Sequence, residues 1–385
     1  MQQVTPDVEA FARIRVIGVG GSGKNAVNHM INSKVKGVDF IVVNTDAQDL
    51  HHSFAKKKIH IGKNLTKGLG TGMNADLGKR AAEETKEELQ EALKGSDMIF
   101  IAGGMGGGTC TGASAVVAKT AREMGALTVA VVTKPFSFEG LQRMRIAELG
   151  LEDLKKEVDA LIVIPNDRLL AVVNRETTVT NAFAMCDDIL KQAVEGISDI
   201  ITTPGIINVD FADIRAVMEN AGSALMGIGT ASGEKRAEEA AKAAINSPLL
   251  DISINGAKGV LFSVAGSDDL GLLEIQDAAK IITESIDPNA RVIFGTSRDQ
   301  KLKKGEIRIT VIASGFPESA APRSASSLFQ FGKTKQDDEQ KKERPLTTAQ
   351  TEPKREGAEE PRPASDASDD DWGAVPAFLR RSKLK

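Results

Sequence analysis

Two glycine-rich stretches carry the chemistry open to this chain. One reads Gly103-Gly104-Met105-Gly106-Gly107-Gly108-Thr109-Cys110-Thr111-Gly112, behind an apolar strand at Met98–Ala102 and ahead of an Ala/Val-rich helix from Ala113 to Met124. Without Cβ atoms, successive backbone N–H groups can turn toward an anion and approach it closely, and the positive end of the following helix adds attraction. That is phosphate chemistry. A flexible linker of similar composition is a poor alternative, because linkers are not wedged between a buried strand and a helix.

The other stretch, Gly18-Val19-Gly20-Gly21-Ser22-Gly23-Lys24-Asn25, follows a strand at Arg13–Ile17 and precedes a helix from Ala26. Gly18, Gly20 and Gly23 fit the G-x-G-x-x-G dinucleotide fingerprint, and Ile41-Val42-Val43-Asn44-Thr45-Asp46 supplies an acidic residue after a second strand. The same residues fit G-x-x-x-x-G-K but end in Asn25, where a P-loop needs a Ser or Thr hydroxyl for Mg²⁺. Lys24 also reads as a solvated residue at a helix start. Neither the dehydrogenase fold nor the P-loop fold needs a second, richer glycine nest about eighty residues later.

The paired loops resemble the FtsZ family, the tubulin-like GTPases of bacterial cell division. Its signature G-G-G-T-G-T-G matches Gly106–Gly112 at every position except Cys110. Further matches are Gly68-Leu69-Gly70-Thr71-Gly72-Met73-Asn74, Lys134-Pro135-Phe136-Ser137-Phe138-Glu139-Gly140 with Arg143, Ile164-Pro165-Asn166-Asp167-Arg168-Leu169, and Asn208-Val209-Asp210-Phe211-Ala212-Asp213. The resemblance spans residues 11–316 and resumes in a short motif near the C-terminus.

The resemblance implies GTP/GDP with Mg²⁺ as the ligands, and no dedicated metal-ligand set. It assigns Gly20, Gly21, Ser22, Gly23, Lys24 and Asn25, with Asn44 beyond them, to the α- and β-phosphate side. Gly104, Gly107, Gly108, Thr109, Cys110 and Thr111 would cradle the β- and γ-phosphates, with Gly70, Thr71 and Gly72 over the γ-phosphate. Glu139 and Arg143 would contact the ribose, although four residues apart on a helix they also read as a surface ion pair. Asn166 and Asp187 would read the base and Phe183 would stack on it; a carboxylate accepts both donors of the guanine edge, a pattern adenine lacks. Asn208, Asp210 and Asp213 are the catalytic expectation: in the family they enter the pocket of the next subunit, so that a head-to-tail filament completes each active site. Taken alone, Asp210 reads as a helix cap. Cys110 replaces a glycine, at a cost of about 1 kcal/mol if the position needs a positive φ, and Ser22, Lys24 and Thr71 also depart from the family's usual residues.

Those groups need a frame, and strands and helices alternate to provide one. Ile14–Ile17, Phe40–Val43, Lys58–Ile61, Met98–Ala102, Leu127–Thr133 and Ala160–Pro165 read as strands, with helices such as Met73–Leu93 and Phe138–Val158 between them. The pattern predicts a doubly wound parallel sheet with both glycine loops beyond its carboxyl edge. Val179–Ile201 reads as a long central helix ended by Pro204-Gly205. A smaller α/β domain follows, with strands at Ala257–Ala265, Arg291–Ser297 and Glu306–Ala313 and helices at Lys235–Ile245 and Leu272–Ser285. The expected division is a flexible N-terminus at 1–10, a GTP-binding domain at 11–178, the central helix at 179–204, a C-terminal domain at 205–316, a disordered linker at 317–366 and a docking tail at 367–385.

Composition sets the remaining expectations. A chain of 385 residues, 41% hydrophobic, is long enough for two substantial cores. The net charge of −4 argues against nucleic acid, and Lys56-Lys57-Lys58 reads as a solvated turn. Two cysteines, Cys110 and Cys186, fit a reduced compartment, and no apolar run reaches membrane-spanning length. The histidines, His29, His51, His52 and His60, all fall in the first domain, which disfavours a dehydrogenase with a catalytic histidine in its cleft. The tail segment Asp369-Asp370-Asp371-Trp372-Gly373-Ala374-Val375-Pro376-Ala377-Phe378-Leu379 carries spaced apolar anchors after a polar linker, the pattern of a docking peptide. Expected partners are further copies of the chain and, through the tail, membrane-tethering and regulatory division proteins, at a cytoplasmic mid-cell ring without direct membrane insertion. A GTP-binding paralogue without turnover is the competing expectation.

Overall fold

A computed structural model describes residues 12–171, 177–203, 205–247, 253–267, 269–299 and 302–316. The sequence expectations at 1–10, at Pro204 and over the linker and tail beyond 316 lie outside the described residues. Ten strands among those described join one sheet: β1 (Ile14–Val19), β2 (Val38–Asn44), β3 (Lys57–His60), β4 (Met98–Gly104), β5 (Leu127–Lys134), β6 (Ala160–Pro165), β7 (Gly222–Ser232), β8 (Gly259–Gly266), β9 (Arg291–Arg298) and β10 (Glu306–Ser314). The helices are α1 (Gly20–Asn32), α2 (Ala47–His51), α3 (Lys63–Thr66), α4 (Ala75–Glu84), α5 (Lys86–Leu93), α6 (Gly108–Glu123), α7 (Leu141–Glu157), α8 (Val179–Thr202), α9 (Phe211–Met218), α10 (Arg236–Ile245) and α11 (Leu272–Thr283).

Strand order is β3-β2-β1-β4-β5-β6-β7-β10-β8-β9. The first seven run parallel, and β10 is antiparallel to both β7 and β8. The chain winds outward from β1 to β3, returns to β4 beside β1, then winds the other way, so β1 and β4 flank a topological switch point where α/β sheets open a crevice for ligands. Continuous apolar runs such as Ile99-Phe100-Ile101-Ala102 are buried because helices cover both faces. The two halves meet over three paired positions between β6 and β7, Ala160↔Gly222 to Ile162↔Ala224.

Elements of this frame differ from the sequence expectation. β7 is absent from that expectation, because its glycines weaken a strand pattern; a Cβ on Gly227 or Gly229 would collide with the carbonyls of Ala244 or Ala240, so they let α10 lie close on the strand. The helix expected over Met73–Leu93 begins at Ala75 and is divided at Thr85, whose hydroxyl donates to the Ala81 carbonyl and accepts from the Gly62 amide. The helix expected from Phe138 starts at Leu141, after a 3₁₀ turn at Ser137–Glu139 and Gly140 with φ of 102°.

Glycine in the Gly106–Gly112 signature does two jobs. α4 lies so close to α6 that a Cβ on Gly112 would collide with the Ala75 carbonyl, whereas one on Gly107 would meet nothing within 4 Å. Gly112→Ala is therefore expected to lower the unfolding free energy by about 1–3 kcal/mol in urea titrations. Gly107→Ala, with φ of −85° at the start of α6, is expected to change it by less than about 1 kcal/mol.

Candidate functional site

Both glycine stretches form helix starts more than loops. α1 begins at Gly20, six residues before the expected Ala26, and α6 at Gly108, five before Ala113. Their first-turn N–H groups have no intrahelical partners and carry the positive ends of the helix dipoles. The two starts abut: a Cβ on Gly20 would stand 3.2 Å from the Cys110 amide, and the Gly104 amide donates to Ser22 Oγ at 2.8 Å. Beside them opens a cavity of about 320 Å³, at the carboxyl edge of β1 and β4.

Of the residues expected to bind nucleotide, Gly20, Gly21, Ser22, Asn25, Thr71, Gly104, Gly107, Gly108, Thr109, Cys110, Glu139, Arg143, Asn166, Phe183 and Asp187 line this cavity. Thr109 Oγ1 bonds to Thr45 Oγ1 at 2.6 Å and to Thr71 Oγ1 at 3.2 Å, tying the segment Leu69–Met73 to the start of α6. Arg143 Nη1 donates to Glu139 Oε2 at 2.6 Å, while the other Glu139 oxygen accepts the Phe136 amide. Ser137 donates its amide to Asp167, which joins the turn carrying Glu139 to the segment carrying Asn166.

At the far end Asn166, Phe183, Cys186 and Asp187 converge. Asn166 is buried, and its Oδ1 is the one enclosed side-chain polar atom among the described residues without a hydrogen-bond partner. An enclosed acceptor without a partner, on a residue that lines a cavity, is an exception to the rule that buried polar atoms are paired. Phe183 packs edge-on to Phe136 with ring centres 5.5 Å apart. Burial pushes the Asp187 carboxyl up to about 6, against the opposing charges of His29 and Lys24. The folded chain thus holds that proton more tightly than the unfolded chain, a stabilising preference lost as pH rises through about 6.

Six expected binders lie off the cavity wall. Lys24 is not solvated: its ammonium pairs with Asp49 at 2.5 Å and is buried. Asn44 donates to Asp49 and accepts the amides of Thr45 and Asp46, bracing the turn before α2. Gly23 gives close packing, since a Cβ there would stand 2.6 Å from the Ala102 carbonyl, and Thr111 accepts the Gly106 amide. Gly70 and Gly72 have φ of 80° and 55° with open space where a side chain would project.

Asn208, Asp210 and Asp213 are not among the lining residues. Asp210 occupies the N-cap position of α9 but makes no side-chain cap bond, and Asp213 is exposed one turn later. α9 is tied to the opposite edge of the sheet, because Arg215 donates to the carbonyls of Asp97 and Gly125, just before β4 and β5 begin. Crossing the seven residues of β4 covers about 20 Å.

Cys110 needs correction. The structure gives it a helical position outside the positive-φ residues, so the expected strain is absent. Its thiol faces Gly103 and Ser114, 3.5 Å from Ser114 Oγ, and burial pushes it up to about 11. The sequence reading missed Met105, Thr133, Pro135, Cys186 and Leu190, which also line the cavity; Thr133 and Pro135 were findable from the rule that ligands sit beyond strand carboxyl ends.

The Tubulin/FtsZ family GTPase domain matches residues 13–174, and the FtsZ family C-terminal domain matches 222–317. An empty FtsZ dimer from M. jannaschii is 46% identical, with TM-score 0.76, over 79% of this chain and 88% of that one. A point mutant of M. jannaschii FtsZ is 45% identical, with TM-score 0.76, over 80% and 92%. CetZ2 from Haloferax volcanii, solved as a GTPγS-bound protofilament, shares the fold at 21% identity and TM-score 0.68 over 80% and 94%. The architecture is thus that of a tubulin-like GTPase. Within that class, the chain belongs to the FtsZ family.

Because the Cys110 thiol is buried against Gly103 and Ser114 and held protonated by that burial, alkylation followed by peptide mass spectrometry at pH 8 should leave it unmodified with or without GDP. Denaturant should expose it. Nucleotide-sensitive labelling of the folded chain would contradict this placement.

Proposed function

We propose that the cavity binds GTP and GDP, with the first turns of α1 and α6 holding the phosphates through their backbone amides. Supporting this are the two abutting helix starts and the hydroxyl chain Thr45–Thr109–Thr71 that fixes one of them. Glu139 and Arg143, already paired, meet the ribose, and Phe183 stacks on the base. Asp187 accepts the two donors of the guanine edge and the orphan Asn166 Oδ1 takes a further donor. Mg²⁺ bound together with the triphosphate would supply charge neutralisation there; among the described residues no group of three or more His, Cys, Asp or Glu stands ready to cage it. If Asp187 must be ionised to read guanine, GDP affinity measured by competition should fall up to tenfold per pH unit below about 6. Asp187→Asn should remove that step and most preference for GTP over ATP, the phosphates titrating alike in both proteins.

Hydrolysis is completed by a second copy. The observation that carries this reading is that Asp210 and Asp213 stand exposed beside Arg215, which is tied to the edge of the sheet opposite the cavity. The 24-residue α8 measures the same separation: Phe183 and Asp187 line the cavity near its start, while Thr202 at its end meets Gly37, just before β2. One copy cannot bring both to one phosphate, but head-to-tail stacking can, and repeated stacking gives a filament. Exposed apolar side chains suit such a contact at both ends: Leu69, Phe138 and Leu141 flank cavity-lining residues, and Ile206 precedes Asn208. The neighbour's carboxylates orient a water whose oxygen bonds to the γ-phosphorus as the β–γ bridging bond breaks, releasing GDP, phosphate and a proton. Hydrolysis then weakens the contact that enabled it.

We read the cellular role as a cytokinetic ring at the division site, with the tail at 367–385 docking tethering and regulatory proteins. Turnover per molecule should rise with protein concentration above a threshold, followed by phosphate release and light scattering. Asp213→Ala should bind GTP normally and lose at least tenfold in turnover, and mixing it with a variant whose own pocket is disabled should restore activity. Constant specific activity at all concentrations sinks the shared site, and binding without any turnover identifies a regulatory paralogue.

A further inference from the structure

Lys24 sits where a cation is poorly placed. It lies in the early turns of α1, near the positive end of the helix dipole, and no acidic residue occupies the first turn to offset it. Its side chain is 11% exposed and donates to Asp49 Oδ1. The other oxygen of Asp49 accepts from Asn44 Nδ2 at 2.8 Å, and the Asp49 amide is held by Asp46 Oδ1 at 2.9 Å. The carboxylate is therefore pinned in place, behind the cavity wall: a Cβ on Gly21, which lines the cavity, would rest 3.4 Å from Asp49 Oδ2. A fixed negative charge behind a wall built to receive phosphates opposes their binding unless it is cancelled.

We infer that Lys24 is a positioning residue that neutralises Asp49 behind the phosphate wall, so that its effect on nucleotide affinity runs through Asp49 and not through contact with the nucleotide. The pair leaves that wall electrically neutral, and the helix starts of α1 and α6 then act on the anion unopposed. The arrangement also explains why a buried lysine and a pinned aspartate occur together across 25 residues of sequence: either one alone would be an uncompensated charge beside the site. Lys24 additionally faces Asp187, where its charge and that of His29 favour the ionised form; at pH 8 that carboxyl is ionised, so the two effects separate.

This inference rests on the cavity being a guanine-nucleotide site, and the test separates the two. The full chain is titrated at pH 8 with mant-GDP and then competed with GDP or neutral guanosine, for wild type, Lys24→Met, Lys24→Arg, Asp49→Asn and the Lys24→Met/Asp49→Asn double variant. Lys24→Met should weaken GDP about tenfold and guanosine less than about threefold, a deficit that shrinks as salt is raised. Lys24→Arg should bind within about threefold of wild type, Asp49→Asn should bind GDP severalfold tighter, and the double variant should recover to within about threefold. If the double variant stays as weak as Lys24→Met, Lys24 acts on the nucleotide directly and the inference fails. Equal losses for GDP and guanosine reduce Lys24 to packing and also overturn it. Should Lys24→Met not fold, Asp49→Asn and Lys24→Arg decide alone, since GDP binding unchanged or weakened by Asp49→Asn contradicts an opposing charge there. A wild-type chain that binds no guanine nucleotide overturns the reading of the cavity itself.

Discussion

The structure depends on the contact of two helix N-termini across the β1/β4 switch point. Glycine is what lets the elements approach there. Gly20 lies against the Cys110 amide, Gly23 against the Ala102 carbonyl, and Gly103 against the Val19 carbonyl. These approaches bring two sets of unpaired amides to one cavity, where their dipoles add. The remaining groups are arranged around that pair: the threonine chain fixes the start of α6, Ser22 at the start of α1 accepts from Gly104 at the end of β4, and the turn at Ser137–Glu139 carries Glu139 to the cavity.

A second constraint is length. α8 is 24 residues, about 36 Å, and it touches the cavity near its first turns while its last turn reaches the start of β2. One continuous helix thus carries Asp187 at the cavity and ends at Thr202, at the opposite edge of the sheet. Its buried face, Ile189, Leu190, Val194 and Ile197, belongs to a core shared by both halves of the chain.

Much of this was legible in the residues. The runs Arg13–Ile17 and Met98–Ala102, each followed by glycines, place both loops beyond the carboxyl edge of a parallel sheet, because a buried parallel strand and a phosphate nest have distinct local patterns. What was not legible depends on distant partners. Lys24 reads as solvated until Asp49 is placed beside it, and Cys110 reads as strained until its backbone proves helical. β7 hides because Gly222, Gly227 and Gly229 look like breaks, whereas two of them yield space to α10. Glycine-rich sequence announces a close approach and leaves open whether an anion or another helix makes it.

The outer strand β3 has a consequence for self-association. It is four residues long, and Lys57 and Lys58 on it are exposed, beside an exposed Lys56. A sheet edge is itself a template for pairing with an identical edge, and a short, lysine-bearing strand repels its own copy. If copies stack end to end as proposed, the hazard is sideways growth through main-chain ladders, which a repelled edge resists. The lysines of β3 disfavour main-chain pairing at that edge of the sheet.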